Sequence, residues 1–177
     1  MSRKVRKIER RLVLPDNKYH SVYVSKFINY LMQEGKKSTA EEIFYSAMHD
    51  LVEYIVINKH QDYQAHLVKA NETEEKSELV NVVFLDILNR LRPMARLKSK
   101  RIGGANYQVP IEISKDTSLK IAMKALIAVA RKKSGKPMAK RLFGEFLNVI
   151  NKEGDAVKQK LEMEKRIESS RAFAHYV

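Results

Sequence analysis

Cysteine is absent from this chain of 177 residues. That excludes disulfides, thiolate zinc sites, iron–sulfur clusters and cysteine nucleophiles, and it suits a reducing compartment. Long apolar runs are missing too. None approaches the roughly 20 residues that span a bilayer, so no membrane partner is expected. The N-terminus has no apolar stretch of the kind secretion needs. Met1 to Leu14 instead carries Arg3, Lys4, Arg6, Lys7, Arg10 and Arg11. Glu9 and the scarcity of serine argue against an organelle presequence, and the segment reads as a basic arm that orders on RNA or DNA. No Gly-rich phosphate loop occurs, because Gly103-Gly104 belongs to a hairpin and not to a strand-to-helix turn. The five histidines (His20, His49, His60, His66, His175) show no metal spacing. Glu41/Glu42 and Glu74/Glu75 fall in the first turns of predicted helices, where carboxylates complement the macrodipole. Nothing assembles a nucleophile, a base and an oxyanion donor. The expectation is a non-enzyme with no catalytic residue, no metal and no cofactor.

Acids are scarce in one stretch only. The chain has 34 Lys+Arg against 21 Asp+Glu, a net charge of +13. Between Arg90 and Arg141 stand 15 bases against Glu112 and Asp116, so this stretch alone carries +13 and the other 125 residues sum to zero. Crowding like charges opposes compactness. Fifteen cations interleaved with a Gly-Gly turn and with aromatic and aliphatic residues point to a polyanionic partner, a nucleic acid. From Lys59 to Asn89 the balance reverses to −3, and a segment of that sign belongs away from a polyanion.

At 44% hydrophobic residues the chain can bury a core, and its length suits one domain with tails. The expected layout is an arm at 1–14 and a single helical domain at 15–177. Leu14-Pro15-Asp16-Asn17 is a turn. Helix one follows from about Tyr19 to Glu34, with Val24, Phe27, Ile28 and Leu31 inward and Gly35 as its stop. Ser38 and Glu41 fit a capping box for helix two, which runs to about Ile57 and buries Ile43, Phe44, Ala47, Met48, Leu51 and Ile55. Asn58 to Thr73 is polar and reads as a loop. Helix three, about Glu74 to Leu91, turns Leu79, Val82, Val83, Ile87 and Leu91 inward and ends before Pro93.

The period then changes to two. Tyr107, Val109, Ile111 and Ile113 alternate with polar residues, and a matching strand precedes Gly103-Gly104, so a β-ribbon is expected at about 94–113. An odd loop, for example Gly103 to Ala105, would pair Leu97 with Ile111 and collect Arg96, Lys98, Lys100, Gln108 and Glu112 on one face. Arg101 near the tip suits bidentate pairing with a phosphate. Tyr107 either stacks on a base or packs on the ribbon's aliphatic face. Helix four, about Ser118 to Lys133 with Asp116 or Thr117 as cap, buries Leu119, Ala122, Met123, Leu126 and Ala130. Lys120, Lys124 and Arg131 form a stripe on it within about 40°. Helix five starts with Pro137 at its first position, turns Leu142, Phe143, Phe146, Leu147 and Ile150 inward, and ends at Gly154. A charged last helix, about Asp155 to Ser170, has only Val157, Leu161 and Ile167 to bury. The fold class is all-α: a bundle of about six helices with one protruding β-hairpin between helices three and four.

Two motifs carry a resemblance to a known family. The first is Leu14-Pro15-Asp16, Lys26-Phe27-Ile28-Asn29, Leu31-Met32 and Gly35-Lys36-Lys37-Ser38-Thr39-Ala40-Glu41. The second is Arg92-Pro93, Lys98-Ser99-Lys100-Arg101-Ile102-Gly103-Gly104 and Tyr107-Gln108-Val109-Pro110. Ala130-Arg131-Lys132, Gly135-Lys136, Met138-Ala139, Arg141-Leu142 and Ala172-Phe173-Ala174-His175-Tyr176 support them. Together they resemble the bacterial-type ribosomal protein seven family of the small subunit, over nearly the full chain.

The resemblance implies a helical bundle with a β-ribbon. It implies binding to the 3′ major domain of small-subunit ribosomal RNA, nucleation of head assembly, and a place near the exit-site tRNA and the mRNA path. Implied partners are that RNA and neighbouring ribosomal proteins of the head and platform. By motif position the RNA contacts fall on the arm, Lys36, Lys37, Lys98, Lys100, Arg101 and the run Arg131, Lys132, Lys133, Lys136, Lys140 and Arg141. The ribbon adds Arg96 and Tyr107. Three departures stand out. Residues 58–73 look like an insertion, at the head of the acidic stretch from Lys59 to Asn89. The last helix lacks the family's usual His and Ala-Glu-Ala-Asn run, which removes the residue-level basis for exit-site contacts there. The chain also ends at Val177 without Arg-Trp. These departures fit a divergent bacterial cytoplasmic ribosome or an organellar one. A helical DNA-binding regulator is the alternative reading, and it would need a recognition helix for the major groove.

Overall fold

A computed structural model describes residues 12–58, 63 and 75–176. Among the described residues the chain runs through six α-helices and a two-stranded antiparallel ribbon, in the order α1 (Val22–Leu31), α2 (Lys37–Ile57), α3 (Glu75–Leu91), β1 (Ala95–Ile102), β2 (Ala105–Glu112), α4 (Lys115–Lys132), α5 (Met138–Ile150) and α6 (Asp155–Ser169). A 3-10 turn at Arg171–Tyr176 follows. The expected helical bundle with a hairpin between its third and fourth helices is the observed fold. Arg3, Lys4, Arg6, Lys7, Arg10 and Arg11 of the arm lie outside the described residues, as does most of the 58–73 segment.

The core forms where apolar stripes of α1 to α5 meet. Phe27 of α1, Phe44 of α2, Phe84 of α3 and Phe146 of α5 are all buried. Every pair among them has ring centroids 5.2 to 6.5 Å apart, tilted or edge-on as aromatic quadrupoles prefer. The inward residues expected for α1 and α4 are all buried. Ile43, Val82, Phe143 and Leu147 are half-buried. Leu161 of α6 is 50% exposed, against expectation; that helix buries only Ala156. Tyr63 is the core residue that reading 58–73 as a loop passed over. It is 2% exposed, and its hydroxyl donates to Asp86 Oδ2 at 2.6 Å.

Several helix ends move from their expected places, each for a local reason. Helix α1 starts three residues late. The Asp16 carboxylate accepts the N–H groups of Lys18 and Tyr19, both at 3.1 Å, and His20 sits at φ 51, so helical bonding begins only after Ser21. It also ends early, because Met32 is extended and Glu34 and Gly35 make a left-handed turn. That turn donates Lys36 N–H to Gln33 O and Lys37 N–H to Gly35 O, which starts α2 before Ser38. The capping box therefore does not form: Lys36 is the N-cap, without a side-chain bond, and Glu41 pairs with Lys37 one turn back at 3.5 Å. No acid stands in the first turn of α2. Helix α4 is capped by Ser114, not by Asp116 or Thr117; the Ser114 hydroxyl accepts from Thr117 N–H at 3.4 Å. Pro137 is the N-cap of α5. Gly154 does not end α5, which stops at Ile150, but opens α6 at φ 90. A Cβ there would meet Asn148 Cβ at 2.8 Å, so conformation and space both require glycine.

The ribbon register differs from the odd-loop expectation. Lys98 pairs with Val109 and Arg96 with Ile111, across a two-residue Gly103-Gly104 turn. Both glycines have positive φ (57° and 89°), the requirement of a type I′ hairpin turn. Pro110 gives the deeper reason. Ile113 N–H donates to Met94 O at 3.4 Å, which sets the parity of the ladder. Counting in twos, 96/111, 98/109, 100/107 and 102/105 are the hydrogen-bonded pairs. Pro110, opposite Leu97, then falls where no N–H is needed. A three-residue loop would set Pro110 opposite Lys98 in a bonded pair, one donor short.

Two polar clusters fix helix positions. At the entry to α1, Tyr45 of α2 donates its hydroxyl to Asp16 Oδ1 at 2.7 Å, and Lys18 Nζ lies over the rings of Tyr45 and Tyr19 at 5.0 and 5.4 Å. Burial, then the hydrogen bond to Asp16, hold the Tyr45 hydroxyl well above its ordinary range; Tyr19 is raised too, by burial and the Asp16 charge. At the other cluster, the fully buried Glu145 of α5 forms an ion pair with Lys133, just past α4.

Three outcomes follow from these clusters. Asp16→Ala should lower unfolding free energy by about 1–3 kcal/mol in urea titrations, because three donors lose their acceptor. A tyrosine raised in the folded state keeps its proton after the unfolded chain has lost its own, so its contribution is complete below about pH 10 and fades as pH climbs further. Tyr45→Phe should therefore show a shallower alkaline decline of stability than the parent. Lys133→Met strands the Glu145 carboxylate and should cost about 1–3 kcal/mol; adding Glu145→Leu should recover most of the loss. An unrecovered double variant would contradict the pairing.

Candidate nucleic-acid interface

Three cations far apart in sequence meet at one cleft. Lys36 from the α1–α2 turn, Arg131 from the end of α4 and Arg141 from the start of α5 line a cavity of about 520 Å³, with Thr39 beside them and Leu31, Ile43 and Met138 among its apolar lining. Backbone carbonyls hold the two arginines. Arg131 donates from Nη2 to Leu31 O at 3.1 Å. Arg141 donates from Nε to Lys136 O at 2.6 Å and from Nη1 to Lys133 O at 2.5 Å. These carbonyls carry no net charge, so each guanidinium keeps its positive field while losing its rotational freedom. Lys36 has an exposed carboxylate partner, Glu34, at 2.9 Å. Lys37 is exposed and lies 3.5 Å from Glu41.

The rest of the basic run divides. Lys136 and Lys140 are exposed at the α4–α5 turn and the first turn of α5. Lys132 and Lys133 line a different cavity, about 380 Å³, shared with Asp155, Lys158 and Glu162 of α6. The charge of Lys133 is answered by Glu145 inside the fold. Arg90 is drawn inward as well, donating to Asp86 Oδ2 at 2.8 Å and to the Ile150 carbonyl at 2.9 Å. The +13 of this stretch is thus partly structural. On α4, Lys120 and Lys124 are exposed, with Lys124 Nζ 5.6 Å from the Tyr30 ring.

On the ribbon, Arg96, Lys98, Lys100 and Arg101 are all exposed. The observed register sets Arg96, Lys98 and Lys100 opposite Ile111, Val109 and Tyr107, so their face is shared with apolar residues and not with Gln108 and Glu112 as the odd loop required. Arg101 projects to the other face, opposite Asn106. The ribbon tolerates this mixture because the C-terminal 3-10 turn packs on β2, leaving Val109 1% exposed while long cationic side chains reach water. Tyr107 is half-buried with its ring centroid 5.1 Å from Phe173. A base stacking there would have to share that ring with Phe173 or displace it.

Sequence reading missed the anchoring of Arg141, whose only trace is its spacing from Lys133, and the apolar lining contributed by Met138. It also missed the closeness of His49, Asp50 and Glu53 on α2, whose donor atoms lie within 4.8 Å of one another. They lie on one helix, and among the described residues no further His or carboxylate joins them.

Comparison with known proteins gives one answer. The family model described as ribosomal protein S7p/S5e matches residues 2–171. The chain is similar to the small ribosomal subunit protein uS7 of Porphyromonas gingivalis, 42% identical over 170 residues that cover 96% of each chain. It is similar to uS7 of Gemmatimonas aurantiaca, 42% identical over 168 residues and 94% of each chain. With uS7 of Chloroflexus aggregans the identity is 39% over 169 residues, 96% of this chain and 94% of the relative. A match of that extent places the chain, a helical bundle with a basic ribbon, in the ribosomal protein S7p/S5e family of structural, non-enzymatic ribosomal proteins.

Proposed function

We propose that this chain is a small-subunit ribosomal protein that binds the 3′ major domain of the ribosomal RNA, nucleates assembly of the subunit head, and lies near the exit-site tRNA and the mRNA path of a bacterial-type ribosome. The relatives' shared name supports the small subunit. The observation that carries the RNA contact is the cleft where Lys36, Arg131 and Arg141 converge with two guanidiniums already oriented. Preplaced cations lose little side-chain entropy on meeting phosphates, and they hold a folded RNA by its backbone and not by its base sequence. The exposed ribbon cations Arg96, Lys98, Lys100 and Arg101 extend the contact, with Lys37, Lys132, Lys136, Lys140 and the arm as further points. The charge of Lys133 makes it the weakest member of the set, because Glu145 already answers it.

Changing Lys98, Lys100 and Arg101 together to Glu tests the reading. All three side chains are exposed, so the variant should unfold at the parent's urea midpoint. Its affinity for a transcript of the 3′ major domain should fall at least about tenfold in filter binding, from lost counterion release and added repulsion. Parent-like affinity would overturn the assignment of the ribbon. Equal affinity of the parent for duplex DNA at the same salt would favour a DNA-binding regulator.

A further inference from the structure

A groove runs along the outer side of α2 where it meets α3 and the entry to α1. It measures about 530 Å³ and is lined by Tyr19, Val52, Val56 and Val80, with His49 and Glu53 on its rim. His49, Val52, Glu53, Val56 and Ile57 fall within an arc of about 140° on α2, at 100° per residue. This is a helix face, and its apolar members stay uncovered toward the end: Val56 is 49% exposed and Ile57 71%. Isolated exposed apolar residues need no explanation, but a contiguous set around a concave groove marks a contact surface.

The charge of the surroundings selects the occupant. Helix α2 carries Lys37 against Glu41, Glu42, Asp50 and Glu53, a net of −3. Lys18, the one Lys or Arg lining the groove among the described residues, is engaged with the Tyr19 and Tyr45 rings. RNA is therefore repelled from this face, while a cationic polypeptide with apolar anchors is attracted to it. We infer that this groove docks a basic, apolar-anchored segment of another protein of the ribosomal particle, with its anchors against Val52, Val56 and Val80 and its lysines or arginines on Asp50 and Glu53. The mode is that of an amphipathic segment laid in a groove, where a few anchors carry the binding energy. The inference rests on the proposed place in the small subunit, and it gives the chain two unlike surfaces: a basic one for RNA and an acidic, apolar one for protein.

The test places the photoreactive residue p-benzoylphenylalanine at Val56 in the full chain, assembles it into small subunits, irradiates the purified particles and identifies the adduct by mass spectrometry. The expected product joins Val56 to a lysine- or arginine-rich segment of a different ribosomal protein. As a second measurement, Val56→Asp/Ile57→Asp should enter particles at least about fivefold less well than the parent in direct competition. Its affinity for the isolated RNA transcript should stay within about twofold, since these residues are not phosphate contacts. Adducts to ribosomal RNA, to a second copy, or only to this chain's own residues 59–74 would overturn the inference. So would clean incorporation with no protein adduct, and in that case the RNA-binding reading stands. A chain that never enters the particle overturns both.

Discussion

Four phenylalanines hold the arrangement on which everything else depends. Phe27, Phe44, Phe84 and Phe146 come from four different helices, and each ring lies against the other three. Rings of that size dominate core energetics, and their tilted geometry fixes orientation as well as distance. The consequence for function is positional. Phe27 lies one helical turn before Leu31, whose carbonyl holds Arg131, and Phe146 lies little more than a turn past Arg141. With α1 and α5 locked together through these rings, the α1–α2 turn, the end of α4 and the start of α5 are held around one cleft.

Electrostatics then divides the molecule. A chain with all its net charge in about fifty residues must manage self-repulsion, and this one does so in three ways. Some cations are drawn into the fold against carboxylates or carbonyls, as with Arg90, Lys133 and Arg141. Others are spread along a ribbon that keeps them in water. Helix α2, with Glu41, Glu42, Asp50 and Glu53 against Lys37, forms a surface of opposite character. The cost of keeping like charges near one another is recovered only when a polyanion displaces its own counterions on binding.

The helical framework was legible because its signals are local. Every residue expected inward on α1 and α4 is buried, though Ser25, Ser118, Ile127 and Val129 join them unread, and the switch to period two at Tyr107 located the ribbon. Helix starts were less legible because they depend on bonds between residues that no pattern links. The Asp16 carboxylate delays α1, a left-handed Glu34-Gly35 turn advances α2, and Ser114 caps α4 two or three residues before the expected Asp116 or Thr117. The register failed for an instructive reason. Sorting side chains by polarity favoured an odd loop, but polarity is a weak constraint on a two-stranded ribbon whose second strand is packed by the C-terminal 3-10 turn while its cations reach water. The backbone demands of Gly103-Gly104 and Pro110 were stronger, and both stood in the sequence. For the cleft, the residue types were legible and their convergence was not, since Lys36 and Arg131 are brought together only by the packing of α1 against α4. Tyr63 was hidden because one buried aromatic in a polar segment leaves no periodicity.

The central claim is that a pre-arranged positive surface grips folded RNA through its phosphates. The most direct measurement is the affinity of the parent chain for a 3′ major domain transcript across a series of salt concentrations. The account predicts a linear fall of log affinity with log salt, with a slope of several units, about 0.7 to 0.9 per phosphate neutralised. A flat dependence would contradict it, because the contact would then be made by something other than the cations described above.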